Sequence, residues 1–223
     1  MNQEKTQKTI AATVKESDKM EAFPAEEDRE ELAWQEISTE HIVQDQWIDF
    51  RRSAYRLPDG RVFEPFYSYS RRDFVVVVAS DEEGRMICVR QFRQGIRQIT
   101  TEFPAGGIER DDGRNYGEGG SFSVEYALQA AKRELREETG HESDQWKHLL
   151  TVPSNATIAD NYVYIFMASN CRRASGQELD DTEFLKCRKH SVEEIEEMIA
   201  SGGFQQAIHV MAWLLAKESG LTV

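Results

Sequence analysis

The sequence is short of cysteine, proline and positive charge, and it contains no long apolar run. Its 223 residues include three cysteines and five prolines, and 27 Lys and Arg stand against 40 Asp and Glu, which gives a formal net charge of −13. A nucleic acid is held by a basic face that displaces counterions, so this charge excludes a general nucleic-acid binder. The longest apolar run, Phe74 to Ala79, is far below the roughly 18 residues of a membrane helix, and we expect no membrane span.

The cysteines and the first residues bear on the expected cellular location. Cys88, Cys171 and Cys187 are odd in number, widely spaced and without a CxxC pair, which favours free thiols over a disulfide framework. The first twenty residues lack the apolar core that a secretory signal needs. We therefore expect no export and a cytoplasmic protein.

Strand-like runs and helical patterns alternate from Trp47 onward. Runs rich in Val, Ile, Phe and Tyr are separated by turn signals, and we interpret them as strands in hairpins. Helical periods occupy 124–135 and about 205–219, and Ser191 with Glu194 forms a capping box that opens another helix. Strands interleaved with a few helices indicate an α/β or α+β sheet domain.

The first of these helices carries its acids in an unfavourable place. Glu134, Glu137 and Glu138 fall on one flank in its last two turns, just before the predicted C-cap Gly140, where the helix dipole already presents negative charge. Glu134 and Glu138 repel each other at i, i+4 by about 0.2–0.5 kcal/mol, whereas Arg133 with Glu137 is favourable. A mixed-charge surface helix is the alternative interpretation, but such crowded acids indicate a bound cation.

The wider spacing decides between these interpretations. From Gly119 to Gly140 the sequence follows G-x5-E-x7-R-E-L-x-E-E-x-G, in which Glu125 and Arg133 are fixed positions. This pattern resembles the Nudix box, with His141 standing where the family has an aliphatic residue. The resemblance implies a Nudix-type α/β/α sandwich with a mixed β-sheet and an N-terminal antiparallel strand extension.

The resemblance also implies a metal site. The matching ligands are Glu134, Glu137 and Glu138, for Mg²⁺ with Mn²⁺ as an alternative, and Glu137 also counts among the catalytic residues. Hard cations such as Mg²⁺ prefer carboxylate oxygens together with water and substrate phosphate. By the same resemblance, Arg133 orients the glutamates and Glu125 supports them from the first turn of the helix.

Two upstream segments, Gln91-Phe92-Arg93 and Glu102 to Gly106, resemble the ADP-ribose pyrophosphatase branch of the superfamily. In that branch the glycine of the Pro-Ala-Gly segment is also the first glycine of the box. Here 18 residues instead of five separate Gly106 from the next box residue, which indicates an insertion of 13. We favour Gly106 as the structural equivalent, which makes the carbonyl of Ala105 a metal ligand. Gly119 is the alternative.

Further positions match the substrate-binding residues of this branch. Arg93 corresponds to an arginine that contacts the diphosphate, and Glu102 to a glutamate that contacts the substrate. Trp47 and Phe63 correspond to aromatic residues that sandwich adenine, with ordinary core packing as the alternative for both. Stacking needs only a flat and partly exposed π face.

An acidic loop, residues 178–183, matches the segment in which the family carries its catalytic glutamate. Glu183 is the candidate general base, and Asp181 is the alternative. A solvated acidic loop without a catalytic role is the other interpretation. The five histidines have no metal-ligand spacing and are interpreted as structural or surface residues.

Together these matches imply a Mg²⁺-dependent hydrolase that cleaves ADP-ribose to AMP and ribose 5-phosphate. Residues 152–157 lack the Pro-Gly pair common in this branch, which keeps another nucleoside diphosphate derivative as an alternative. A non-catalytic nucleotide sensor is the second alternative.

We divide the chain into a flexible acidic arm (1–32), a β-strand extension with substrate and dimer contacts (33–72) and a catalytic domain (73–223). The resemblance implies a homodimer whose only other partner is the nucleoside diphosphate sugar.

Overall fold

The computed structural model describes residues 31–109 and 122–220. Nearly all of the predicted arm, and Gly119 with most of the predicted insertion, lie outside these residues. The strands are β1 (Gln35–Gln44), β2 (Asp49–Arg56), β3 (Val62–Ser70), β4 (Phe74–Asp81), β5 (Met86–Arg93), β6 (Gln98–Glu102), β7 (Ala105–Gly107), β8 (His141–Glu142), β9 (Gln145–Pro153), β10 (Tyr162–Arg173) and β11 (Leu185–His190). The helices are α1 (Val124–Thr139), α2 (Val192–Ala200) and α3 (Ala207–Glu218).

The strands form two sheets within the described residues. β1, β2 and β3 make one sheet in that order, and the larger sheet has the order β11-β5-β4-β10-β8, with β6 beside β5, β7 beside β4 and β9 beside β10. β4 and β10 run parallel, whereas the other pairs of the larger sheet are antiparallel. The larger sheet is therefore mixed, as predicted.

The central strand β4 is buried on both of its faces. Val75 belongs to a core cluster with Leu135 of α1, while the next residue, Val76, belongs to a second cluster with Ile195 of α2 and Trp213 of α3. Successive side chains of a strand point to opposite faces, so a continuous apolar run suits a strand covered by helices on both sides. The sheet is thus the middle layer of an α/β/α sandwich, which confirms the predicted fold class.

The helix ends follow the capping signals of the sequence. Gly140 ends α1 in the left-handed conformation with φ 72°, and its N–H donates to the carbonyl of Arg136. The hydroxyl of Ser191 accepts from the N–H of Glu194, whose carboxylate accepts in return from the N–H of Ser191. These contacts satisfy backbone groups that a helix end leaves unpaired.

The chain forms two compact units that interleave in the sequence. Among the described residues, the small unit contains 31–40 and 52–67, and the large unit contains 41–51, 68–109 and 122–220. Within the small unit, the rings of Trp34 and Phe63 lie 5.9 Å apart. The domain boundaries proposed from the sequence, at 32 and 72, remain predictions. No helix in the described ranges is long and apolar enough to cross a bilayer.

A pair of leucine substitutions tests the layered core. Leu135 of α1 is 0% exposed and Leu214 of α3 is 59% exposed. We expect Leu135→Ala to lower the free energy of unfolding by about 2–5 kcal/mol, because it leaves a cavity between α1 and the sheet. Leu214→Ala is the control, expected within about 0.5 kcal/mol of the wild type. Denaturant unfolding measures both, and equal losses would contradict this packing.

Candidate active site

Three carboxylates from two separate parts of the chain meet at the end of α1. One oxygen each from Glu134, Glu138 and Glu183 lies within 4.8 Å of the other two. Glu134 and Glu138 are one turn apart on α1, and both are buried on the side that faces the sheet. The sequence placed these acids on a flank of the apolar stripe, whereas the structure turns two of them inward.

The surroundings of the cluster disfavour its negative charge. Burial raises the pKa of Glu134 to about 7, although Arg133 beside it acts in the opposite direction. Burial and then the neighbouring charge of Glu134 raise the pKa of Glu138 well above its ordinary range. A raised pKa means that the negative form of each carboxylate is disfavoured. A cation bound between the two carboxylates would stabilise that form.

Arg133 holds the acids of α1 in place. Its Nη2 donates to Oε1 of Glu134 at 2.8 Å and to the carbonyl of Gly107 at 3.0 Å, while its Nη1 donates to Oε2 of Glu137 at 2.7 Å. The guanidinium therefore joins two glutamates of the helix to strand β7. The predicted role of Arg133 in orienting the glutamates remains a prediction.

Strand β7 forms the wall next to the cluster. The N–H of Ala105 donates to Oε2 of Glu138 at 2.9 Å. A Cβ atom placed on Gly106 would overlap the carboxylate of Glu134, so the helix and the strand can approach this closely only at a glycine. The equivalence of Gly106 to the first box glycine, and the carbonyl of Ala105 as a metal ligand, remain predictions.

The acidic loop that carries Glu183 is tied to the end of α1. Nε2 of Gln177 donates to the carbonyl of Glu138 at 2.6 Å, and the N–H of Glu178 donates to the carbonyl of Glu137 at 2.9 Å. These bonds place the loop where Glu183 reaches the other two acids. Asp181, the alternative base, is not part of the cluster.

Strand β7 also lines a cavity of about 490 Å³. Residues Ala105 to Gly107 line it, so the same short strand borders both the cavity and the carboxylates. Trp47 lines it with a side chain that is 62% exposed, and the guanidinium carbon of Arg72 lies 5.7 Å from the centre of the Trp47 ring. A recess of about 550 Å³ lies along Lys132 and Arg136, but it contains none of the three clustered acids.

Arg93, which lines the 490 Å³ cavity, forms an ion pair with Glu102. Nε of Arg93 donates to Oε1 of Glu102 at 2.9 Å, and Nη2 donates to Oε2 at 2.5 Å. Glu102 is fully buried, and burial alone would raise its pKa, but the hydrogen bonds from Arg93 and Thr100 outweigh burial and lower the pKa. Arg93 lines the cavity, whereas Glu102 lies behind it.

Three other predicted site residues are not part of the carboxylate cluster. Glu137 is paired with Arg133 and is outside the three-carboxylate cluster. Glu125 is exposed in the first turn of α1, about 13 Å along the axis from Glu134. Phe63 belongs to the small unit, where it packs edge-on against Trp34.

Several residues of the cavity wall carried no motif in the sequence. They are Arg71, Arg72, Asn161, Gln206 and His209. His209 was interpreted as structural or surface, and no local pattern marks it, because its neighbours in the site come from distant strands. The unexpected His141 is 3% exposed, with Nδ1 2.9 Å from the carbonyl oxygen of Thr139, so it fills the buried place of the usual aliphatic residue.

The residues present suit a divalent metal ion. Glu134, Glu138 and Glu183 supply hard oxygen donors, and the raised pKa values of the first two show that nearby positive charge is insufficient. Oxygen donors of this kind suit Mg²⁺ or Mn²⁺ rather than a metal that prefers sulfur.

Comparison with known proteins shows the family of this chain. The NUDIX domain profile matches residues 70–214. The chain belongs to the Nudix family. The predicted family and the predicted enzyme class, a Nudix pyrophosphatase, are confirmed.

The individual proteins that resemble this Nudix protein have low sequence identity to it. An ADP-ribose pyrophosphatase of Bacillus subtilis (strain 168) is 26% identical over 192 residues, which cover 82% of this chain and 93% of the relative. A methanol dehydrogenase activator of Bacillus methanolicus is 25% identical and covers 67% of this chain and 74% of its own. The crystal structure of an ADP compounds hydrolase has a TM-score of 0.66 at 18% identity and covers 85% of this chain and 97% of that one. The last similarity shows the fold.

Two glycines of β7 provide a matched test of the Nudix site. A methyl group at Gly106 would displace the carboxylate of Glu134, whereas a methyl group at Gly107 would have only Arg72 nearby, at 3.8 Å. We expect Gly106→Ala to weaken Mn²⁺ binding, measured by calorimetry, by about tenfold or more, because the ligand moves. The fold should persist, because the displaced group is the end of a flexible side chain.

Gly107→Ala is the control and should bind Mn²⁺ nearly as the wild type does. Equal affinity in both variants would show that the close approach of β7 to Glu134 is irrelevant to the metal.

Proposed function

We propose that this Nudix protein is a Mg²⁺-dependent hydrolase that cleaves the diphosphate of ADP-ribose, or of a related nucleoside diphosphate sugar. The products would be a nucleoside monophosphate, AMP for ADP-ribose, and a sugar phosphate. The observation that carries the proposal is a shared wall: strand β7 contacts the three-carboxylate cluster and also lines the cavity. A diphosphate bound along that wall would meet both.

The cavity offers groups suited to each part of such a substrate. The exposed ring of Trp47 provides a flat surface for a nucleobase. Arg93 uses Nε and Nη2 on Glu102, which leaves the N–H groups of Nη1 outside that pair for a phosphate oxygen. Arg71 and Arg72 add positive charge to the same wall, within a protein of net charge −13.

The acids would hold the metal and move the proton. Glu134, Glu137 and Glu138 are proposed to hold Mg²⁺, with the carbonyl of Ala105 as a further ligand. The metal, when bound, would neutralise charge on the diphosphate and lower the pKa of a water molecule. Arg133 keeps Glu134 and Glu137 in fixed directions, and Glu125 is proposed to support the helix start. Glu183 is the proposed acceptor of the water proton, because among the described residues it is the one clustered carboxylate that does not belong to α1.

We further propose a homodimer in the cytoplasm, from the family resemblance. Trp34, Ile37, Val62 and Phe63 of the small unit are large apolar residues and are 44–52% exposed, which supports a partner surface there. Cys88, Cys171 and Cys187 are free thiols, which suits a reducing compartment. Light scattering of the purified protein tests the dimer.

Release of AMP from ADP-ribose tests the proposed reaction. We expect turnover with Mg²⁺ and none with EDTA, and ADP-glucose serves as the competing nucleotide sugar. Glu137→Gln should lower kcat by about 100-fold or more, because it removes a charged ligand, while the circular dichroism spectrum stays that of the wild type. Glu142→Gln, in strand β8 where the carboxylate pairs with Arg136, is the control and should retain full activity.

Binding of ADP-ribose without any hydrolysis would instead support the nucleotide-sensor alternative. Unchanged activity in Glu137→Gln would refute the metal role of that residue.

A second pair of variants distinguishes the roles of Glu183 and Asp181. Glu183→Gln should lower kcat by about 10²–10⁴-fold with little change in KM, because the proton acceptor is lost. Asp181→Asn should stay near the wild type, since Asp181 is not part of the carboxylate cluster. Steady-state kinetics at saturating Mg²⁺ measures both, and the reverse ranking would assign the base to Asp181.

A further inference from the structure

His209 is a buried histidine for which the proposed chemistry has no use. It lies in the first turn of α3, where its side chain is 4% exposed and contributes to the wall of the cavity. Burial lowers its pKa to about 4, so the ring is neutral near pH 7. A neutral imidazole has one nitrogen that donates and one that accepts a hydrogen bond.

The backbone determines which nitrogen of His209 carries the proton. Nδ1 lies 3.1 Å from the backbone nitrogen of Phe103, and a backbone N–H can only donate. Nδ1 is therefore the acceptor, and the hydrogen is on Nε2. One ring thus has two separate contacts, one at each nitrogen.

The Nε2 side of the ring faces Glu102. Nε2 lies 3.9 Å from Oε2 of Glu102, the same oxygen that accepts from Nη2 of Arg93. This distance exceeds that of a direct hydrogen bond, so the N–H acts on the carboxylate through its dipole, in surroundings that screen little. Glu102 is fully buried, and Arg93 and Thr100 take up the rest of its carboxylate.

Phe103 and Glu102 are neighbours in the chain, so the ring contacts the backbone of one and faces the side chain of the other. The direction of Glu102 in turn fixes Arg93, which meets it through two nitrogens. Any shift of the carboxylate would move the guanidinium in the cavity wall. These contacts connect α3 to Arg93, which lines the cavity.

We propose that His209 is a positioning residue, whose Nε2–H fixes the carboxylate of Glu102 and thereby presents Arg93 to the substrate diphosphate. The role depends on the proposed function for its kinetic consequence, but the fixed arrangement exists in the free protein. We expect it to affect binding of the substrate rather than the chemical step, because Glu102 is not part of the three-carboxylate cluster.

Two conservative variants separate the contacts of the ring. Asn places an oxygen where the histidine has Nδ1, so His209→Asn keeps the acceptor for the N–H of Phe103 but loses the donor towards Glu102. Gln places an amide nitrogen near Nε2, so His209→Gln keeps the donor but leaves the N–H of Phe103 unpaired.

We expect His209→Asn to raise KM for ADP-ribose about fivefold to tenfold, with kcat within about twofold of the wild type. His209→Gln should keep KM within about twofold of the wild type, although its melting temperature should fall because a buried N–H loses its partner. An unchanged KM in His209→Asn, or the same KM increase in both variants, would overturn the proposal and leave a merely structural ring.

A second measurement needs no substrate. Hydrogen exchange at Nε–H of Arg93, followed by NMR in the metal-free protein and assigned with Arg93→Lys, should be faster in His209→Asn and unchanged in His209→Gln. Equal exchange in the wild type and His209→Asn would refute the positioning role. Failure of the wild type to hydrolyse ADP-ribose would refute the proposed function, while the exchange experiment would still decide the role of His209.

Discussion

The site depends on one electrostatic constraint, which is that carboxylates are buried together where little positive charge compensates them. Glu134 and Glu138 lie on the inner side of α1, and Glu183 reaches them from a loop. Removing a carboxylate from water is costly unless it is paired or coordinates a cation. Arg133 supplies one positive charge for Glu134 and Glu137, and the pKa of Glu134 nevertheless rises to about 7. A divalent cation bound at this site would therefore offset the repulsion between the buried carboxylates.

The other features of the site keep this unfavourable arrangement in place. Gly106 lets β7 approach the carboxylate of Glu134, and the N–H of Ala105 gives Glu138 a hydrogen bond. Gln177 ties the acidic loop to the end of the helix. Core packing of α1 against the sheet supplies the stability that offsets the cost of burying the acids. Because β7 also borders the cavity, the geometry that crowds the acids also puts them beside the space for a diphosphate.

Local patterns predicted some elements well and others poorly. The run around Val75 to Ala79, the C-cap Gly140 and the capping box at Ser191 all lie in the predicted structures. Strand β1 was not separately predicted, because nearly all of its residues are exposed and the strand has no apolar period. The three-residue strand β7 is too short for any period, and it forms only because β4 offers a neighbouring edge.

The sequence by itself determined the spacing of the acids on α1, the ends of the helices and the family, because these depend on residues a few positions apart. Only the tertiary structure decided that Glu134 and Glu138 turn inward, that Glu183 joins them and that His209 stands behind Glu102. Glu183 is 45 positions from Glu138 in the chain, and His209 is 107 positions from Glu102. The order of strands and helices around one sheet brings them together, and no periodicity within a single segment encodes that order.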